Sequence, residues 1–119
     1  MPFCLACGQL SSTLGEVQKN LDHLVETLLQ AEKEGADLVV FPETIVSGYF
    51  IEGANIECAL TPSELLGEVR RRLPAGSHPD AVIGFYEKVE GRPCNSAAYL
   101  DLKEGEVVSV HRKFFLPTY

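Results

Sequence analysis

The run ADLVVFPE, residues 36–43, constrains this chain more than any other stretch. Leu38, Val39, Val40 and Phe41 are apolar without alternation, over a length that suits a strand. A strand with no polar face has to be covered on both sides, as in a sheet packed by helices. The residues before it supply such a helix. Val17, Leu21, Leu24, Val25, Leu28 and Leu29 recur at i, i+4, i+7, i+8, i+11 and i+12, one face of an amphipathic helix. Thr13 and Glu16 have capping-box spacing ahead of it, and Gly35 stands where a C′ glycine ends a helix. Residues 3–9 read as a first, buried strand. Strand, helix, strand is a βαβ unit, for which a right-handed crossover is the default.

A loop from Thr44 to about Leu60 follows. TPSE then repeats the capping logic, with Thr61 as N-cap, Pro62 in the first helical position and Glu64 reaching back. Leu65, Leu66, Val69 and Leu73 give this second helix its apolar stripe, and Pro74 and Gly76 stop it. Arg70, Arg71 and Arg72 fall near its C-terminus, where the helix dipole favours cations, and otherwise read as a solvated face. Three strands are predicted after it, at Ala81–Tyr86, Ser96–Leu102 and Glu106–Arg112, the last two joined as a hairpin through DLKEG. The order β-α-β-α-β-β-β predicts one α/β domain with a mixed sheet. The 119 residues allow no second domain.

Charge excludes several partners. With 17 acidic and 10 basic residues the net charge is −7, opposite to the basic footprint that nucleic acid or an anionic membrane requires. No stretch has the length of a membrane span, and MPFCLACGQL has no basic leader, so the expected location is cytoplasmic. Cys4 and Cys7 form C-x-x-C, a spacing used by zinc and redox sites. The run Phe3–Cys7 is apolar rather than turn-like, and Cys58 and Cys94 stand alone, so all four are expected to be small buried apolar residues. His23, His78 and His111 are scattered. No metal site, cofactor motif, phosphate loop or serine elbow is predicted.

Two residues are candidates for chemistry. Glu43 ends the apolar strand, and ligands of open α/β sheets bind beyond the carboxyl ends of strands. A carboxylate held there in low dielectric has its pKa raised, as a general base needs. An exposed loop glutamate is an equal reading from context alone. Lys113 follows a strand and precedes Phe114, Phe115 and Leu116. Such an ammonium either snorkels to water or finds an anion, for which Glu43 is a candidate. It can also donate to an oxyanion. The competing reading is an edge-strand lysine that blocks aggregation.

Taken together, Gln9 after the first strand, GADLVVFPE, SGYF, CNSAAYLDLKEGEVV and HRKFFLP, in that order, resemble the N-terminal portion of a nitrilase-superfamily carbon–nitrogen hydrolase. The resemblance covers nearly the whole chain and is least distinctive over residues 58–80. It implies a four-layer α-β-β-α sandwich with mixed sheets, of which this chain supplies the first part of each sheet as an incomplete domain. Unpaired strand edges and an exposed apolar face then follow. It implies a Glu-Lys-Cys triad in which Glu43 is the general base and Lys113 stabilises the oxyanion, acting on a small-molecule amide or nitrile. The family's cysteine lies well downstream of the lysine, whereas this sequence ends six residues past Lys113. None of Cys4, Cys7, Cys58 and Cys94 matches its position, so the chain alone is expected to be inactive. The complete protein is expected to be a homo-oligomer associating through a helical face. HRKFFLPTY resembles the amide-hydrolysing branches, including the glutaminase domains fused to NAD synthetases. A non-catalytic α/β binding or interaction module is the alternative.

Overall fold

The computed structural model describes residues 2–50 and 56–113. The elements run β1 (Leu5–Cys7), α1 (Val17–Lys33), β2 (Leu38–Val40), a 3-10 turn (Ile56–Cys58), α2 (Pro62–Arg70), β3 (Asp80–Val89), β4 (Arg92–Asp101) and β5 (Glu106–Arg112). All five strands form one sheet in the order β1-β2-β3-β4-β5. β1, β2 and β3 are parallel, and β3, β4 and β5 antiparallel. The mixed α/β sheet is as predicted. The described residues supply one sheet, however, and not the first part of two.

The predicted helical stripe is the core. Leu21, Leu24 and Leu28 of α1 and Leu65 and Val69 of α2 are fully buried against Val39, Ile83, Phe85, Ala98 and Leu100 of the sheet. Alternation then places Val40, Val82, Ala97 and Tyr99 on the other face, where each stays partly exposed. β1 is shorter than the seven residues predicted, and both Leu5 and Cys7 are exposed. It is an edge strand with one neighbour, so it lacks the cover expected of it.

One helix start is as predicted and one is not. At α2, Thr61 Oγ1 accepts from the Glu64 amide (3.1 Å) and Glu64 Oε1 from the Thr61 amide (2.8 Å), a complete capping box. At α1 the N-cap is Glu16, with no side-chain cap bond. The chain turns at Gly15 (φ 77) instead, and Asn20 inside the helix does the stitching. Its amide accepts from the Thr13 N–H (2.9 Å) and donates to the carbonyls of Thr13 (2.9 Å) and Val46 (3.0 Å). Gly35, at φ +89, terminates α1 as expected. The β3–β4 hairpin turns through Glu90 and Gly91, both at positive φ, which a two-residue type I′ turn requires.

The arginines after α2 tie the helices together. Arg72 Nε donates to Asp22 Oδ1 (2.6 Å), Arg71 Nε to Glu68 Oε1 (2.7 Å), and both guanidinium groups reach Gln18 Oε1. The Arg72 side chain is only 9% exposed, so the solvated-face reading holds for Arg70 and Arg71 alone. The Arg71 hydrogen bond leads in drawing the Glu68 carboxyl down to about 2, with Gln18 and Arg72 adding to it. A depressed carboxyl pKa stabilises the fold above its unfolded value and loses that contribution as pH falls through the folded one. The protein should therefore lose about 1 kcal/mol between pH 5 and about 2 that Glu68→Gln does not lose. Urea midpoints across that range measure it; parallel curves for the two proteins would refute it.

Candidate active site

Glu43 follows β2 by three residues and lies at the carboxyl end of that strand, as predicted. Lys113 follows β5 directly. Sheet order places β3 and β4 between them, yet the side chains meet. Lys113 Nζ donates to Glu43 Oε1 at 2.7 Å across 70 residues of sequence. Both belong to the partly exposed face of the sheet, beside a cavity of about 320 Å³ walled by Val40, Val82, Ala97 and His111. The low-dielectric setting expected for Glu43 is not what the fold provides. Its side chain is 44% exposed and that of Lys113 36%, because the helices cover only the opposite face. Phe114, Phe115 and Leu116 lie outside the described residues.

Three further residues hold this pair, and none was singled out in the sequence. Asn95 of β4, itself buried, donates from Nδ2 to Glu43 Oε1 (2.9 Å), while its carbonyl accepts from the Lys113 N–H (2.8 Å). Gly84 of β3 lies under the chain that carries Glu43. A Cβ there would stand 2.4 Å from the Pro42 carbonyl oxygen, 2.7 Å from the Thr44 nitrogen and 2.8 Å from the Glu43 Cα. Thr44 turns the chain away at φ 49, a left-handed conformation that a β-branched residue adopts only under constraint. Its carbonyl accepts from the amides of Ser47 and Gly48, which supply that constraint.

On the helix-facing side, behind Lys113, Glu87 of β3 is 2% exposed. Arg112 donates to it from Nε (2.8 Å) and Nη2 (2.9 Å), and Ser96 from Oγ (2.8 Å). One sequence signal could have found it. Ala81, Ile83, Phe85 and Glu87 share a strand face, so a charge falls at an inward position and needs a partner.

The cysteines are placed differently from expectation. Only Cys58 is buried; Cys4 and Cys7 are exposed and Cys94 is intermediate. Along an extended strand, Cys4 and Cys7 are about 10 Å apart, too far for a disulfide. Among the described residues no three metal-binding side chains come together. Burial, then the Glu57 charge, raises the Cys58 thiol, and its Sγ faces the Gly15 carbonyl. Cys94 pairs with Glu87 on the helix-facing side. Cys7 lies in β1, at the opposite end of the strand order from β5, which leads into Lys113. None of the four cysteines lines the cavity beside the Glu43–Lys113 pair. His78 is held between Glu32 (2.7 Å) and the Pro74 carbonyl (2.8 Å) instead.

The family model described as "Carbon-nitrogen hydrolase" matches residues 4–119. The glutamine-dependent NAD(+) synthetase of Acinetobacter baylyi is 33% identical over 118 residues, covering 98% of this chain and 21% of that protein. The structure of glutamine-dependent NAD+ synthetase from Acinetobacter baumannii superposes with a TM-score of 0.76 at 32% identity, over 98% of this chain and 22% of that one. An amidase from Nesterenkonia sp. superposes at 0.75 and 22% identity, covering 98% and 44%. The last likeness concerns the fold. The chain spans about a fifth of the length of the curated relatives it matches.

Proposed function

Since the chain belongs to the carbon–nitrogen hydrolase family, we propose that it carries the base and the oxyanion-stabilising cation of an amide-hydrolysing site. The observation that carries this reading is the 2.7 Å contact between Lys113 and Glu43. A glutamate and a lysine placed by separate strand ends converge on one cavity at the carboxyl side of the parallel strands. Glu43 takes the proton of a cysteine thiol, leaving the S–H electron pair on sulfur. The thiolate attacks the amide carbon; a C–S bond forms and the carbonyl π pair moves to oxygen. Lys113 has three N–H donors, so one can hold Glu43 while another bonds the oxyanion. The tetrahedral intermediate collapses, the C–N bond breaks, and ammonia leaves with the proton held by Glu43. Water, deprotonated by Glu43, then cleaves the thioester to the free acid and restores the thiol.

The thiol comes from outside the described residues, since none of the four cysteines lines the cavity. The side-chain amide of glutamine is the favoured substrate on the strength of the NAD synthetase relatives, with small aliphatic amides next and nitriles last. The complete domain closes the exposed sheet face with a second sheet, associates as a homo-oligomer and works in the cytoplasm. No helix among the described residues is long and apolar enough to cross a membrane.

Ammonia release tests the assignment. The chain continued along its reading frame through the next cysteine should hydrolyse glutamine or a small amide, and the 119 residues alone should not. Turnover by the 119 residues that survives replacement of all four cysteines would remove the external nucleophile. A continued chain inert toward every amide and nitrile would instead favour the non-catalytic module.

A further inference from the structure

Glu43 receives both of its described side-chain donors on the same oxygen. Lys113 Nζ (2.7 Å) and Asn95 Nδ2 (2.9 Å) each point to Oε1, and Oε2 stands outside both bonds. We propose that Asn95 is a positioning residue for Glu43. Its amide and the Lys113 ammonium lock one carboxylate oxygen and reserve the other, Oε2, for the proton that the reaction moves. This deepens the functional reading above and rests on it.

The geometry is suited to that task. A carboxylate oxygen has two in-plane lone pairs, and two donors fill those of Oε1. The donors come from different places, Asn95 from within β4 and Lys113 from beyond β5, so together they fix the plane of the carboxylate rather than one direction within it. Asn95 is itself held. It pairs with Tyr86 of β3 in register, is 7% exposed, and its carbonyl accepts from the Lys113 N–H at 2.8 Å. Glu43, Asn95 and Lys113 therefore form a closed ring of contacts. A neutral amide completes the ring without a second positive charge. Aspartate has the same shape but would set an anion against an anion.

Asn95→Ala in the ammonia-releasing protein should lower kcat about tenfold to a hundredfold, as a freed base loses its alignment, with KM changed by less than about threefold. Asn95→Asp should lower kcat further. A kcat like that of the parent would overturn the proposal while leaving the function intact.

A second measurement does not depend on turnover. The NMR signals of the Asn95 side-chain amide should shift in Glu43→Ala and stay near their parent positions in Glu43→Gln, whose carbonyl oxygen can take the place of Oε1. Signals indifferent to Glu43→Ala would overturn the proposal in any form of the protein. Signals that respond as expected, with no amide turned over by any form, would sink the functional reading and the positioning role of Asn95 with it.

Discussion

Gly84→Ala should dislodge Glu43 from Lys113 and Asn95. The added Cβ would stand 2.4, 2.7 and 2.8 Å from the Pro42 oxygen, the Thr44 nitrogen and the Glu43 Cα. All three are main-chain atoms, so no side chain can swing aside, and the strand or the loop must move. β3 is paired on both sides and backed by Ile83 and Phe85 in the core, whereas the segment from Pro42 to Thr44 belongs to no strand. The loop gives way, and Glu43 moves with it. Overpacking of this kind costs about 1–3 kcal/mol. In the ammonia-releasing protein proposed above, a displacement near 1 Å should lower the rate by about a hundredfold. Gly67→Ala is the matching control. Its Cβ meets nothing within 4 Å inside α2, and helix propensity should make it neutral or stabilising by up to about 1 kcal/mol. Urea unfolding and ammonia release read both variants. A Gly84→Ala protein with parental stability and rate would show that the loop is not seated on β3.

The second large effect is a loss of stability in Arg112→Ala. The Glu87 side chain is 3% exposed and that of Arg112 56%, so the pair is asymmetric. Removing the arginine leaves a carboxylate inside the protein with Ser96 as its remaining side-chain donor. Breaking a buried pair in this way costs about 3–5 kcal/mol. The guanidinium lies half in water, so the expected loss falls below that of a fully buried pair. Replacing the acid instead leaves a solvated arginine, a smaller disturbance. Glu87→Gln should therefore be the milder change, and Glu87→Gln in the Arg112→Ala background should recover part of the loss. A double-mutant cycle measures this directly. If Arg112→Ala loses less than Glu87→Gln, the buried carboxylate is not the costly partner. Because Arg112 adjoins Lys113, the ion pair also anchors the strand end that presents the ammonium.

Much of the fold is legible in local sequence signals. The stripe from Val17 to Leu29, the capping box at Thr61 and the bounds of β5 all depend on residues within a few positions of one another, and the structure has them as expected. The signal failed where a distant group replaced a local one. Thr13 and Glu16 have the spacing of a capping box, but Asn20 holds Thr13 against Val46, 26 residues away from Asn20, and the chain turns at Gly15. The buried first strand failed for a related reason, since an apolar run does not reveal which strand ends the sheet.

The site divides the same way. Glu43 and Lys113 can be found one at a time, each just past a strand, and the family motif names them together. Their contact is a matter of register. Lys113 faces Glu43 because β5 pairs with β4, and β4 with β3, in one alignment, and a slip of one residue would turn every side chain of a strand to the opposite face. Asn95, Gly84 and Glu87 carry no local mark of their roles, because each acts on a residue from another element. Sequence determined which elements form, since helix periods, caps and turns act over four residues or fewer. Tertiary structure alone decided which side chains share a face and touch, because strand register and backbone approach are settled between segments as much as 70 residues apart.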